Sequence, residues 1–153
     1  MLPDRIKEDI EFELGEIDSL FELYEKELLD LEKSLNLVEL TALASVLHSF
    51  YNGIENILLI IAKHIDKDIP SDFEWHKSLL EQMVKKNKHR KAVLTDYTKK
   101  ELLKYLGFRH FFRHSYSIHL KWERMEALVN SIRPVWEKFK TEISAFNEAE
   151  IFE

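Results

Sequence analysis

The sequence predicts an all-α bundle of four or five helices folded as a single domain over residues 1–153. Three observations lead there. Apolar residues recur at steps of three and four through most of the chain, the spacing that gathers them on one side of a helix. No stretch alternates apolar and polar in the manner of a half-buried strand. Only three glycines and three prolines are present, too few for the turns of an all-β chain. With 45% hydrophobic and 33% charged residues, the chain can bury a core and remain an ordinary soluble domain.

The elements follow in order. Ile6, Ile10, Leu14, Ile17, Phe21, Tyr24, Leu28, Leu31 and Leu35 form one stripe, so a first helix is expected from Pro3 to about Leu35, with Asn36 as a break. A second helix is expected from about Val38 to Ile65. Its centre, HSFYNGIENILLIIA, is apolar on most sides and belongs deepest in the core, with Gly53 placed for close packing. Asp66 to Pro70 reads as a connector. Ser71-Asp72-Phe73-Glu74 has the spacing of a capping box and should open a third helix carrying Trp75, Leu79, Leu80 and Met83. The cationic KKNKHRK at 85–91 reads as a loop or frayed end. Thr95 or Thr98 should cap a fourth helix that runs through ELLKYLGFRHFF. The last helix spans about Leu120 to Phe146, with Pro134 kinking or restarting it.

Composition excludes some chemistry. There is no cysteine, so disulfides and thiolate metal sites are ruled out, and a cytoplasmic setting is the expectation. The charged start, MLPDRIKEDIEFE, shows no signal-peptide core, and the longest apolar run, ILLIIA, is far too short to cross a membrane. The formal net charge is -6, yet it is unevenly spread. Residues 1–40 hold thirteen acids against four bases, whereas residues 85–124 hold twelve Lys and Arg against three acids. Such a cationic half points to a polyanion or an acidic partner. Lys85, Lys86, Lys88 and Arg90 are the candidates to extend an RNA path along it.

The densest chemistry lies in GFRHFFRHSYSIH, residues 107–119. Taken as helix at about 100° per residue, the segment divides into two faces. Arg109, Arg113, Tyr116, Ser117, His110 and His114 share one. Phe108, Phe111, Phe112, Ser115 and Ile118 share the other and should pack inward. The polar face suits a phosphodiester: arginine forks bind phosphate oxygens, and imidazoles that titrate near neutrality take a proton from a 2′-OH or return one to a leaving 5′-oxygen. Arg109 and Arg113 would meet the charge that builds on phosphorus. The second proton-transfer group would be His110, or His114 of a second copy. His110 and His114, four apart, could also hold zinc. However, H-F-F-R-H lacks the glutamate of H-E-x-x-H and sets cationic Arg113 beside the ion. No metal and no cofactor is expected.

Arg109-His110-Phe111-Phe112-Arg113-His114-Ser115-Tyr116, preceded by LLKYLGF, resembles the R-x4-H-x-Y motif and its lead-in in HepT-like toxins of the HEPN superfamily. The resemblance covers about residues 1–146 and implies a HEPN-type bundle that dimerises. It implies a metal-independent endoribonuclease whose composite site takes one motif from each of two copies. By the resemblance Arg109 and His114 would be catalytic and His110 supporting, while Arg113, at a position more often aliphatic in the family, is assigned a supporting role on its charge alone. It implies a toxin–antitoxin pairing with a minimal, MntA-like nucleotidyltransferase antitoxin that transfers AMP to the motif tyrosine, here Tyr116. The competing expectation is a non-catalytic helical module that binds a nucleotidyltransferase or a nucleotide through the same Arg/His face.

Overall fold

The computed structural model describes residues 2–29, 35–149 and 151–152, and all regular structure among them is helical. The helices are α1 (Asp4–Leu23), α2 (Glu25–Leu29), α3 (Leu37–Ile61), α4 (Trp75–Met83), α5 (Asp96–His114) and α6 (Trp122–Asn147). A π-helical turn, Ala62–Asp66, follows α3, and a 3-10 turn, Ser117–His119, lies between α5 and α6. Helix α3 is the axis of the bundle and packs against α1, α4, α5 and α6. None of these helices is long and apolar enough to cross a membrane.

Local chemistry explains most boundaries. The expected first helix divides at Tyr24 into α1 and α2, and its far end, including Leu31, lies outside the described residues. Asn36 is the cap of α3. Its Oδ1 accepts from the Glu39 amide at 2.8 Å, and Glu39 Oε1 accepts from the Asn36 amide at 3.2 Å, a reciprocal pair that satisfies two helix-end donors. At the other end α3 loosens into the π turn instead of remaining α-helical to Ile65. The Asp68 amide reaches back to the Ala62 carbonyl at 3.0 Å, and Lys67 closes the turn in the left-handed region at φ 55°. Helix α4 starts at Trp75 with Glu74 as its cap residue, so Ser71 does not cap it as expected, and Asp72 instead shapes the turn ahead of it. Asp72 Oδ1 accepts from the Glu74 amide at 2.8 Å, which winds Phe73 and Glu74 into a turn ahead of the helix. Thr95 caps α5, accepting from the Thr98 amide at 3.3 Å. Helix α6 runs through Pro134 without restarting. The proline sits on the exposed side, so the carbonyl it leaves unpaired one turn back faces water.

The core is aromatic at its centre. Phe50 of α3 meets Phe21 edge-on at 5.9 Å, Tyr105 at 5.2 Å and Trp136 at 6.2 Å, tying α1, α5 and α6 to the axial helix. Each such pair adds about 1 kcal/mol beyond the area it buries. Trp136 Nε1 is not wasted, since it donates to Asp18 at 3.0 Å. Gly53 lets α1 approach closely: a Cβ built there would stand 2.7 Å from Ile17 Cγ1.

Candidate nucleic-acid site

Helix α5 carries the motif, and its inward residues fix how the motif is presented. Thr98, Leu102, Tyr105, Phe108 and Arg109 are buried, and Phe112 is half-buried. The positions 98, 102, 105, 109 and 112 repeat at steps of four and three, so Arg109 belongs to the buried stripe and not to an exposed polar face. It is only 8% exposed. The reason lies on α3. Glu55 Oε1 accepts from Arg109 Nη1 at 2.9 Å, and the guanidinium also lies 5.7 Å from the centre of the Tyr51 ring. A buried arginine is tolerable when a carboxylate meets it. Burial raises the Tyr51 phenol well above its ordinary value, with Glu55 adding to the rise and Arg109 opposing it. Arg109 Nε is buried and finds no partner among the described residues.

The second carboxylate oxygen is also taken. Glu55 Oε2 accepts from His76 Nδ1 at 2.7 Å, and the His76 ring stacks on Trp75 at 3.6 Å. Glu55 therefore links α3, α4 and α5 at one point. A second imidazole stands near. His48 lies 5.4 Å from the Phe112 ring, its Nε2 is 3.0 Å from Asn52 Nδ2, and its Nδ1 is buried without a partner among the described residues. Burial, together with the charges of Arg109 and Arg113, holds the His48 imidazole below its ordinary value.

The other motif residues turn outward. His110 and His114 are exposed, with ring centres 4.6 Å apart, and Arg113 is exposed beside them. Five residues on a helix place His114 about 140° around the axis from Arg109. No hydrogen bond or ring contact joins Arg109 to His114 among the described residues. Phe108 is buried and stacks on Phe112 at 6.1 Å, while Phe111 and Phe112 are half-buried and Phe111 lies 5.4 Å from the Arg124 guanidinium. The inward face expected for the phenylalanines is thus only partly sealed.

The expectation of one helix over 108–119 is corrected. Helix α5 stops at His114, where Ser115 turns extended at φ -123° and ψ 154°. Serines compete for backbone bonds and favour helix ends, and beyond Ser115 the chain passes through the 3-10 turn to buried Leu120. Tyr116 consequently leaves the helix and stands 78% exposed, and Ile118 is exposed instead of packed inward. His110 and His114 form a two-imidazole pair, and no cluster of three or more possible metal ligands occurs among the described residues.

The cationic loop also differs from expectation. Lys85, Lys86 and Lys88 are exposed, but Arg90 is 1% exposed and forms a buried ion pair with Asp66. Its guanidinium is fully engaged inside the protein, which corrects its assignment to an RNA-binding surface. Glu55, His48 and His76 were not singled out from the sequence. One signal for Glu55 was available: it is the only Asp, Glu, Lys or Arg between Glu39 and Lys63.

No curated protein and no solved structure matches this chain. Comparison with protein families does give a match, to HepT-like proteins, over residues 42–150. That stretch contains α3 from its sixth residue onward and all of α4 to α6, with the whole Arg109–Tyr116 segment and the Glu55 contact that buries its arginine. With an all-helical fold and most of its length matched, the chain belongs to the HepT-like family of HEPN-type proteins.

Proposed function

We propose that the protein is a metal-independent endoribonuclease toxin whose active site is composite, built from the motifs of two copies. One observation carries the reading: Arg109 is held inside on a fixed partner, while His110 and His114 are offered to solvent 4.6 Å apart on the other side of the helix. One chain supplies a rigid phosphate-binding arginine and a pair of proton-transfer groups that point apart. A second copy facing it gives each scissile phosphate both. RNA carries its own nucleophile, the 2′-OH, so the step needs only acid, base and positive charge. An imidazole takes the 2′-OH proton as the 2′-oxygen bonds to phosphorus. A second imidazole, protonated, gives its proton to the 5′-oxygen as that bond breaks, leaving a 2′,3′-cyclic phosphate and a 5′-OH. Arg109 and Arg113 stabilise the charge on the phosphoryl oxygens.

Tyr116 is the proposed regulatory residue, modified with AMP by an MntA-like nucleotidyltransferase antitoxin. Its exposed side chain, two residues beyond His114 in the chain, supports this. An added phosphate there would bring negative charge to the motif and oppose RNA. The test is RNA cleavage in EDTA by wild type and His114→Ala, after mass spectrometry shows Tyr116 unmodified. Cleavage by wild type alone supports the nuclease. RNA left intact by unmodified wild type overturns it and favours the module that only binds a nucleotidyltransferase or nucleotide.

A further inference from the structure

The nuclease reading leaves unexplained why a carboxylate is buried in the most apolar helix of the molecule. Glu55 is 5% exposed and is flanked in α3 by Ile54, Ile57 and Leu58, all fully buried. Burying a charge there is costly unless it is well paired. Both of its oxygens are in fact committed, Oε1 to Arg109 Nη1 at 2.9 Å and Oε2 to His76 Nδ1 at 2.7 Å. The partners come from two different helices, α5 and α4.

The geometry points to Glu55 as the positioning residue of the motif arginine, with His76 as the brace that fixes Glu55 in turn. The assignment rests on the nuclease reading and deepens it. An arginine side chain has many rotamers, and a phosphate-binding arginine is most effective when its donors are already aimed. Glu55 holds one edge of the guanidinium at Nη1. Tyr51 lies against its face at 5.7 Å. Nε is left buried with a proton and no acceptor among the described residues. A buried donor without a partner is rare in native structures and calls for an explanation. The negative charge of a phosphoryl oxygen suits a guanidinium held in this way. Glu55 does not touch RNA in this scheme and transfers no proton. It determines where Arg109 stands. His76, half-buried and stacked on Trp75, keeps the carboxylate from rotating away from Arg109.

The test compares wild type, Glu55→Gln and His76→Gln in steady-state cleavage of a fluorescent RNA oligonucleotide, with thermal unfolding measured on each. Glu55→Gln keeps the shape and an oxygen acceptor for Nη1 but loses the charge that holds Arg109. Its kcat should fall about 100-fold with KM changed by less than about threefold, the pattern of a misplaced catalytic group. His76→Gln should give a smaller fall in kcat, and the double variant should lose no more than Glu55→Gln alone, because both act through one contact. Wild-type kcat in a folded Glu55→Gln overturns the assignment. If Glu55→Gln does not fold, His76→Gln decides: unchanged kcat overturns the assignment, and reduced kcat at unchanged KM supports it. Failure of wild type to cut any RNA is a different result, since it removes the nuclease reading on which the positioning role depends.

Discussion

Replacing Arg90 with methionine should destabilise the fold severely, and the structure gives the size of the loss. The guanidinium has five N–H groups, and five acceptors surround it. Nε donates to Asp66 Oδ1 at 2.7 Å and Nη2 to Asp66 Oδ2 at 2.6 Å. Nη1 donates to the carbonyls of Lys85 at 2.9 Å and Lys91 at 3.0 Å, and Nη2 also reaches the Gln82 carbonyl at 3.4 Å. Methionine fills most of the volume but leaves Asp66 buried with only Asn87 and Gln82 as donors. Removing one member of a buried pair in this way costs about 3–5 kcal/mol. For a domain of this length each kcal/mol lowers Tm by about 2–4 °C, so a drop of roughly 6–20 °C is expected. Urea unfolding followed by circular dichroism measures it directly, with m unchanged if the native state keeps its compactness. A loss below about 1 kcal/mol would refute the reasoning, because it would mean that the Asp66 charge is readily solvated without Arg90. The same measurement separates a structural Arg90 from an RNA-contacting one, since a surface cation is worth only a few tenths of a kcal/mol to stability.

Three further outcomes are expected. Charge reversal of Lys85, Lys86 and Lys88 together should leave Tm within a few degrees of wild type but weaken RNA binding and flatten its salt dependence, and an unchanged salt slope would remove these lysines from the interface. Gly53→Ala gains about 1 kcal/mol of helix propensity but sets a methyl 2.7 and 2.8 Å from Ile17 Cγ1 and Cδ1. Overpacking of about 1–3 kcal/mol should outweigh that gain, and a more stable variant in thermal melts would contradict it. His48 titrates below its ordinary value in the fold. When pH is lowered past the ordinary imidazole range, about 6.5, the unfolded chain therefore binds the proton first and stability falls. The fall ends once the folded His48 is itself protonated. His48→Asn should remove that part of the acid-side slope of Tm, and an unaltered slope would show that His48 carries none of it.

Periodicity was sufficient for the helices because it reports the average inward preference of each position, and the core needed nothing more specific. The stripe Ile10, Leu14, Ile17 and Phe21 is buried as the spacing requires. The Thr95 cap and the close approach at Gly53 follow from single residues whose conformational and steric properties are local. The expected fold class and the place of the motif late in the chain rest on the same local signals.

The charged residues behaved differently. Arg109 and Arg90 both belong to cationic stretches that read as exposed, and both are buried. What decides each case is a carboxylate distant in sequence: Glu55 is 54 residues from Arg109, and Asp66 is 24 from Arg90. An arginine carries both a long apolar stem and a permanent charge, so its own position on a helical wheel does not settle which way it faces. The presence of an acceptor at the packed surface does, and that exists only once α3, α4 and α5 have come together. The end of α5 at His114 is more local, since Ser115 turns extended there and its side chain competes for backbone bonds. Local pattern suffices to say which segments are helical, which stripe of each is apolar and that arginines, histidines and a tyrosine crowd into eight positions. That the motif arginine turns inward onto Glu55 while its histidines turn out depends on packing, because the cost of burying a charge depends on a partner that local pattern does not encode.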